Sequence, residues 1–374
     1  MVVERPIGEP NAELEIEGVD IETPDMNVEA VEIQEDGSAI VNPEIDTQEV
    51  EHDSNLSDYV DEDVLNSIAN DLMGEYGADQ SSRDDWFQAY RKGLELLGFK
   101  YEERTMPFAG SSGVTHPLLS ESVTQFQAQA YKELLPSGGP VRTQILGTPD
   151  QQKEEQSQRV KDYMNYQIMH IMEEFDPELD QMLFYLPLTG STFKKVYFDA
   201  TLGRAVSKFV ASEDLIVPYT ATDLQSAERV THVLRRTEND IKKMQVAGMY
   251  RDVDIQPYKN ETRIQETKNR IEGIQDTGYQ EDYTLLEVHC DLDLEGFEDD
   301  NGIKLPYIVT IDEGSQKILS IYRNYEEADP LKKKKQYFVH YKFLPGLGFY
   351  GFGLIHMLGG LSRTATSALR QLID

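Results

Sequence analysis

Residues 192–210 read TFKKVYFDATLGRAVSKFV. Apolar side chains recur at every second residue on either side of a turn at 200–203, which predicts two paired strands. Before this stretch the apolar period is near four, and after it the period is mostly two. Three further strands fit TLLEVHCDLDL (284–294), LPYIVTID (305–312) and KILSIYRN (317–324), the last two joined by EGSQ. A helix over 241–249, capped by Thr237 with Asp240, lies between the first pair and this trio. Helices first, then mostly antiparallel strands, predict an α+β fold.

Working back from residue 192, Ser57 is an N-cap candidate with acids at 61–63. Val60, Val64, Ile68 and Leu72 then form a row ending at Gly74. A second helix over 84–97, capped by Ser82 with Asp85, carries Phe87, Tyr90, Leu94 and Leu97 up to Gly98, with Trp86 as a core anchor. A third, over 117–135, carries Leu119, Val123, Phe126, Ala130 and Leu134. The longest starts at Thr148, Pro149 and Gln151 and carries Val160, Met164, Ile168, Ile171 and Phe175 to Asp176, where Pro177 opens another short helix.

Working forward, QYFVHYKFLP (336–345) predicts one more strand. GLGFYGFG (346–353) sets glycines that permit tight turns between aromatics. Leu354, Leu358, Leu361, Ala365, Leu369 and Leu372 then mark a helix row with no Gly, Asn or Pro stop after it, as expected of a fragment. Four segments result: an acidic arm at 1–56, a helical part at 57–190, a strand-rich part at 191–345, and the glycine-aromatic turn with its helix at 346–374.

The chain has 374 residues and a formal net charge of -33. Residues 1–63 hold 21 of its 68 acidic residues and one basic residue, Arg5. Self-repulsion and scarce aromatics make the arm at 1–56 an expected disordered segment. Clustered Lys and Arg for phosphate contacts are confined to residues 332–335, which read as a charged turn. One cysteine, Cys290, excludes an internal disulfide, and neither a signal peptide nor an 18-residue apolar run is present.

Motifs for chemistry are absent. No GxxxxGK[ST], GxSxG or HExxH string occurs. AGSSGVTHP (109–117) lacks the phosphate-binding lysine and reads as a flexible surface loop, with His116 leading into a helix. DLDLEGFEDDNG (291–302) places Asp291, Asp293, Glu295 and Gly296 as a calcium loop does. Gly302 stands where the bidentate Glu belongs, so an acidic hairpin tip is expected. His289 and Cys290 alternate across a strand and do not chelate one ion together. The residues predict a protein without catalysis, cofactor or metal.

Three stretches go further: PFAGSSGVTHPLLSESVTQFQAQAYKELLPSGGPVRTQILG, FYLPLTGSTFKKVYFD, and VHYKFLPGLGFYGFGLIHMLGGLSRTATSALRQLID. Together and in this order they resemble the portal, or head-to-tail connecting, proteins of tailed bacteriophages of the podovirus type. The resemblance runs from about residue 57 to 374 and leaves out the acidic arm. It implies a homo-oligomeric ring, usually of twelve subunits, at one capsid vertex, assembled in the host cytoplasm and built into the virion. Double-stranded DNA passes through without sequence specificity. The implied partners are the terminase large subunit, the major capsid protein and tail adaptor proteins, with no membrane. The implied architecture is an α/β wing leading into a stem, with residues 354 onward approaching that stem and the clip and crown beyond residue 374. Phe349, Tyr350, Phe352, Leu354, Leu358 and Leu361 become candidate subunit-interface residues. The alternatives are another head-completion adaptor or, at a further remove, a packaging-motor enzyme.

Overall fold

A computed structural model describes residues 31–33, 39–41, 50–99, 104–199, 202–259, 262–274, 282–299 and 301–374. The chain divides into two units, Met1–Glu51 and His52–Asp374. Most of the expected disordered arm lies outside the described residues. Within it, β1 (Val31–Ile33) pairs antiparallel with β2 (Ala39–Val41).

In the second unit order begins before Ser57, because Asn55 and Leu56 are already buried. Asn55 caps a 3-10 turn at Leu56–Asp58. Helices α1 (Glu62–Ser82), α2 (Asp84–Glu95) and α3 (Leu118–Leu134) follow. Helix α1 does not stop at Gly74. Its buried row of Leu65, Ala69, Leu72, Tyr76 and Asp79 runs on past Gly74 and Gly77, and packing outweighs the roughly 1 kcal/mol a helical glycine costs. Arg83 rather than Ser82 precedes α2.

Next come α4 (Gln151–Tyr166), a π-helical turn at Gln167–Ile171, and α5 (Phe175–Thr189). The expected apolar row of α4 is not in the core; the helix buries no residue at all.

Strands β3 (Ser191–Asp199) and β4 (Arg204–Val210) form the hairpin read from residues 192–210. Joined by β10 (Phe338–Lys342), they make an antiparallel sheet of order β10-β3-β4. A five-stranded antiparallel sheet runs β5 (Leu215–Ile216), β6 (Arg229–Thr237), β7 (Asp282–Leu292), β8 (Leu305–Asp312), β9 (Ile318–Arg323). Helix α6 (Glu238–Val246) follows β6, and Thr237 accepts the Asp240 N–H as expected of its cap. Helix α7 (Arg263–Glu272) and α8 (Leu354–Ile373) complete the unit.

Three of these elements escaped the periodicity: β5, β6 and α7. Strand β6 is the informative case. Val230, Thr231, His232 and Val233 are all buried, so both faces of the strand are covered and no alternation marks it. The open edge of β9 is closed by a side chain: Asn55 donates to the Leu319 carbonyl at 3.3 Å and accepts from Ile321 N–H at 2.9 Å. A side-chain amide thus stands in for a neighbouring strand and blunts the edge.

The main core joins α2, α3 and the end of α5 to β3 and to the aromatics of 346–353. Trp86 anchors it, stacked on Tyr350 at 4.5 Å between ring centroids. Among the described residues no helix is long and apolar enough to cross a membrane.

Candidate functional site

Gly190 closes α5 in a left-handed conformation, φ 91°, and starts β3 beneath the 346–353 turn. A Cβ there would lie 2.3 Å from the Phe352 carbonyl carbon and 2.4 Å from Gly353 N. One at Gly351 would lie 2.4 Å from the Gly190 oxygen, and one at Gly353 2.4 Å from the Leu188 oxygen. Two backbones therefore cross with no room for a side chain between them. The Ser191 hydroxyl accepts the Gly351 N–H at 2.7 Å and pairs with His340 Nε2 at 3.0 Å. The glycines do serve close backbone approach, but the approach is within one chain.

The aromatics of this turn face inward. Phe349 and Tyr350 are fully buried, with Phe349 stacked against Phe193. The Tyr350 hydroxyl donates to the Leu215 carbonyl at 2.9 Å and accepts from Arg83 at 3.0 Å. Arg83 is itself buried and also donates to the carbonyls of Ser212, Glu213 and Leu215. Phe349 and Tyr350 are thus residues of this chain's own core, which corrects their expected place at a subunit interface. Phe352, Leu354 and Leu358 are half-buried, and Leu361 is 61% exposed.

Helix α8 leaves the turn with its small and polar side inward. Its buried residues are Ile355, Gly359, Ser362 and Thr366. Ile355 sits where a Cβ on Gly93 of α2 would be. Further along, three side chains at spacing four hold the 112–116 backbone: Thr366 accepts His116 N–H at 3.0 Å, Arg370 donates to the Val114 carbonyl at 2.7 Å, and Asp374 accepts Ser112 N–H at 2.6 Å. The AGSSGVTHP segment, expected to be a flexible loop, is strapped along the helix.

The solvent side of α8 is mixed: Gly360, Arg363, Thr364, Ser367 and Gln371 are exposed, and beside them runs an apolar flank in which Met357, Leu361 and Leu372 are 54, 61 and 84% exposed and Leu354, Leu358, Ala365 and Leu369 half-buried. An exposed row of this length marks an interaction surface.

The other expected features are absorbed by the fold. In the 332–335 run, Lys332 donates to the Glu327 carbonyl, Lys334 to the Ala227 carbonyl, and Lys335 pairs with Glu326. In the 291–302 tip, Glu298 accepts the Gly296 N–H and Asp299 the Asn301 N–H. Among the described residues, no three His, Cys, Asp or Glu side chains converge on a metal-sized site.

A second feature lies between the two sheets, a cleft of about 400 Å³ lined by Lys195, Tyr197, Glu287, His289, Tyr322 and Tyr337 among others. Lys195 Nζ lies 2.6 Å from both Glu287 oxygens, and His289 Nε2 is 2.7 Å from one of them. Burial opposes charge on Glu287, yet Lys195 and His289 outweigh it and hold the carboxyl well below its usual range. Burial also lowers the His289 pKa, so the imidazole is neutral at pH 7 and donates through Nε2. Lys195 of β3 thus bonds Glu287 of β7 across the gap between the sheets, and His289 supports that carboxylate from the same strand.

No family model matches the sequence, and no curated protein compared with it gives a match. The three resembling stretches meet in space: the second supplies Gly190 and Ser191, the third the turn and α8, and the first the 112–116 strap.

Proposed function

We propose that this chain is a structural subunit of a phage portal ring, the conduit for double-stranded DNA at one capsid vertex and the junction of head and tail. The observation that carries the proposal is the apolar flank of α8, which presents Leu361 and Leu372 to solvent. Burying Leu361 and Leu372 against a neighbour contributes about 2 kcal/mol each. Every copy offers the same surface, so a ring gathers that contribution once per subunit interface.

The charge fits a conduit. A ring of acidic subunits repels the duplex within it instead of gripping phosphates. The ring acts without catalysis of its own, docking the terminase large subunit during packaging and meeting the major capsid protein and the tail adaptors in the virion. Light-scattering mass with negative-stain imaging tests this. Rings with a central hole support it; a compact monomer from the complete reading frame, or turnover of ATP or cleavage of DNA with magnesium, defeats it.

A further inference from the structure

The outer edge of β4 is closed by side chains instead of a strand. In the antiparallel sheet β10-β3-β4 it is an outside strand, and every second N–H along such a strand points away from its partner. Two of these outward donors are bonded to carboxylates. Ser207 N–H donates to Glu174 at 3.2 Å, and Phe209 N–H donates to Glu178. Glu174 directly precedes α5 and Glu178 stands in its first turn. The two spacings match: residues four apart on a helix rise about 6 Å, and residues two apart on a strand about 6.6 Å. Acids at that helical spacing therefore meet consecutive outward N–H groups.

Neighbouring cations hold the acids in place. Arg204 pairs with Glu174 at 2.8 Å. Lys194 of β3, the cross-strand partner of Phe209, is buried, with its ammonium 4.2 Å from the centre of the Phe175 ring. Burial pushes the Lys194 pKa down, and Glu178 and Glu174 oppose that shift. The other sheet repeats the arrangement at β9, where Asn55 stands in for a strand.

We infer that Glu174 and Glu178 are edge guards, which occupy the N–H row of β4 and keep it from pairing with the β4 of a second copy. The inference stands apart from the ring reading. Residues 204–210, RAVSKFV, have the composition of a pairing strand, with Val206, Phe209 and Val210 and neither Gly nor Pro. Antiparallel pairing of two copies about Ser207 sets Arg204 against Val210 and Lys208 against Val206, so like charges do not oppose each other. In that register the N–H groups of Ser207 and Phe209 are donors to the second copy. These are the two that the carboxylates occupy.

A strand mimic tests the guards in the full chain whatever its oligomeric state. The probe is a fluorescent RAVSKFV peptide, N-methylated at alternate residues so that it pairs along one edge only. The parent should leave it unbound by anisotropy. Glu174→Ala with Glu178→Ala should bind it and exchange the Ser207 and Phe209 amides roughly tenfold faster, the worth of one charge-assisted hydrogen bond. Thermal melts matching the parent verify folding. Glu174→Gln with Glu178→Gln keeps an acceptor at both places and should behave as the parent. Amide exchange of the unmodified protein needs no variant: Ser207 and Phe209 should be protected. Free exchange at both in the folded parent, a folded alanine variant that leaves the peptide unbound, or glutamine behaving as alanine overturns the inference.

Discussion

Substituting Gly190 by Ala tests whether the crossing of residues 190 and 346–353 holds the core in place. Two separable penalties arise. A left-handed backbone costs a non-glycine residue about 1–2 kcal/mol. The new methyl must also displace backbone now 2.3–2.5 Å away, in Phe352, Gly353 and Gly351. Overpacking a rigid site adds about 1–3 kcal/mol. The expected loss is about 2–5 kcal/mol. Gly248 is the control, with φ 71° and open space around its Cβ position, so Gly248→Ala should lose only the first penalty. Urea unfolding followed by Trp86 emission suits the comparison, because the only tryptophan stacks on Tyr350 inside this core. Equal losses for the two variants would refute the argument.

Three other outcomes follow from buried charge. Arg83→Met removes the donor to the Ser212 and Glu213 carbonyls and one of the donors to the Leu215 carbonyl and the Tyr350 hydroxyl, which still pair with each other; it should lower stability by about 3 kcal/mol, again read by urea midpoint. Lys195→Met leaves the Glu287 carboxylate buried with only His289 beside it; it should cost about 3 kcal/mol at pH 7, and adding Glu287→Gln should restore at least half. His232 and His340 are held neutral by burial with pKa values of about 3 each. The unfolded chain binds those protons near pH 6.5 and the folded chain does not, so stability is full above pH 6.5 and falls as pH drops. The two together should remove roughly 4 kcal/mol between pH 6.5 and 4.5; a flat urea midpoint across that window contradicts the assignment.

Turn residues at 200–203 between two runs rich in Val, Phe and Tyr made the β3–β4 hairpin legible, and Thr237 caps α6 through a purely local hydrogen bond. Strands β7, β8 and β9 are covered on both faces and were legible as apolar, β-branched runs. Strand β6, equally covered through Val230–Val233, was not, because Thr231, His232, Arg235 and Arg236 break its apolar run. In α8 the leucine spacing identified a helix but not its orientation. The chain docks the helix through Ile355, Gly359, Ser362 and Thr366, a face of mostly small residues that leaves little mark in hydropathy. The glycines of 346–353 advertised a close backbone contact without naming its partner. A signal for Gly190 was available, since a glycine directly after a helix is a common left-handed stop. Arg83 gave none, because its acceptors are backbone carbonyls 129–132 residues away in sequence.

The central claim is that the outward row of α8 assembles the chain into a ring. Its most direct test is light-scattering mass with negative-stain imaging of the protein from its complete reading frame, unmodified and with Leu361→Asp and Leu372→Asp together. Both residues are exposed, so the urea midpoint should stay within about 0.5 kcal/mol of the parent. Rings with a central hole from the unmodified protein, and monomers from the double variant, are the predicted result. Rings of equal yield from both, or monomers from both, would contradict it.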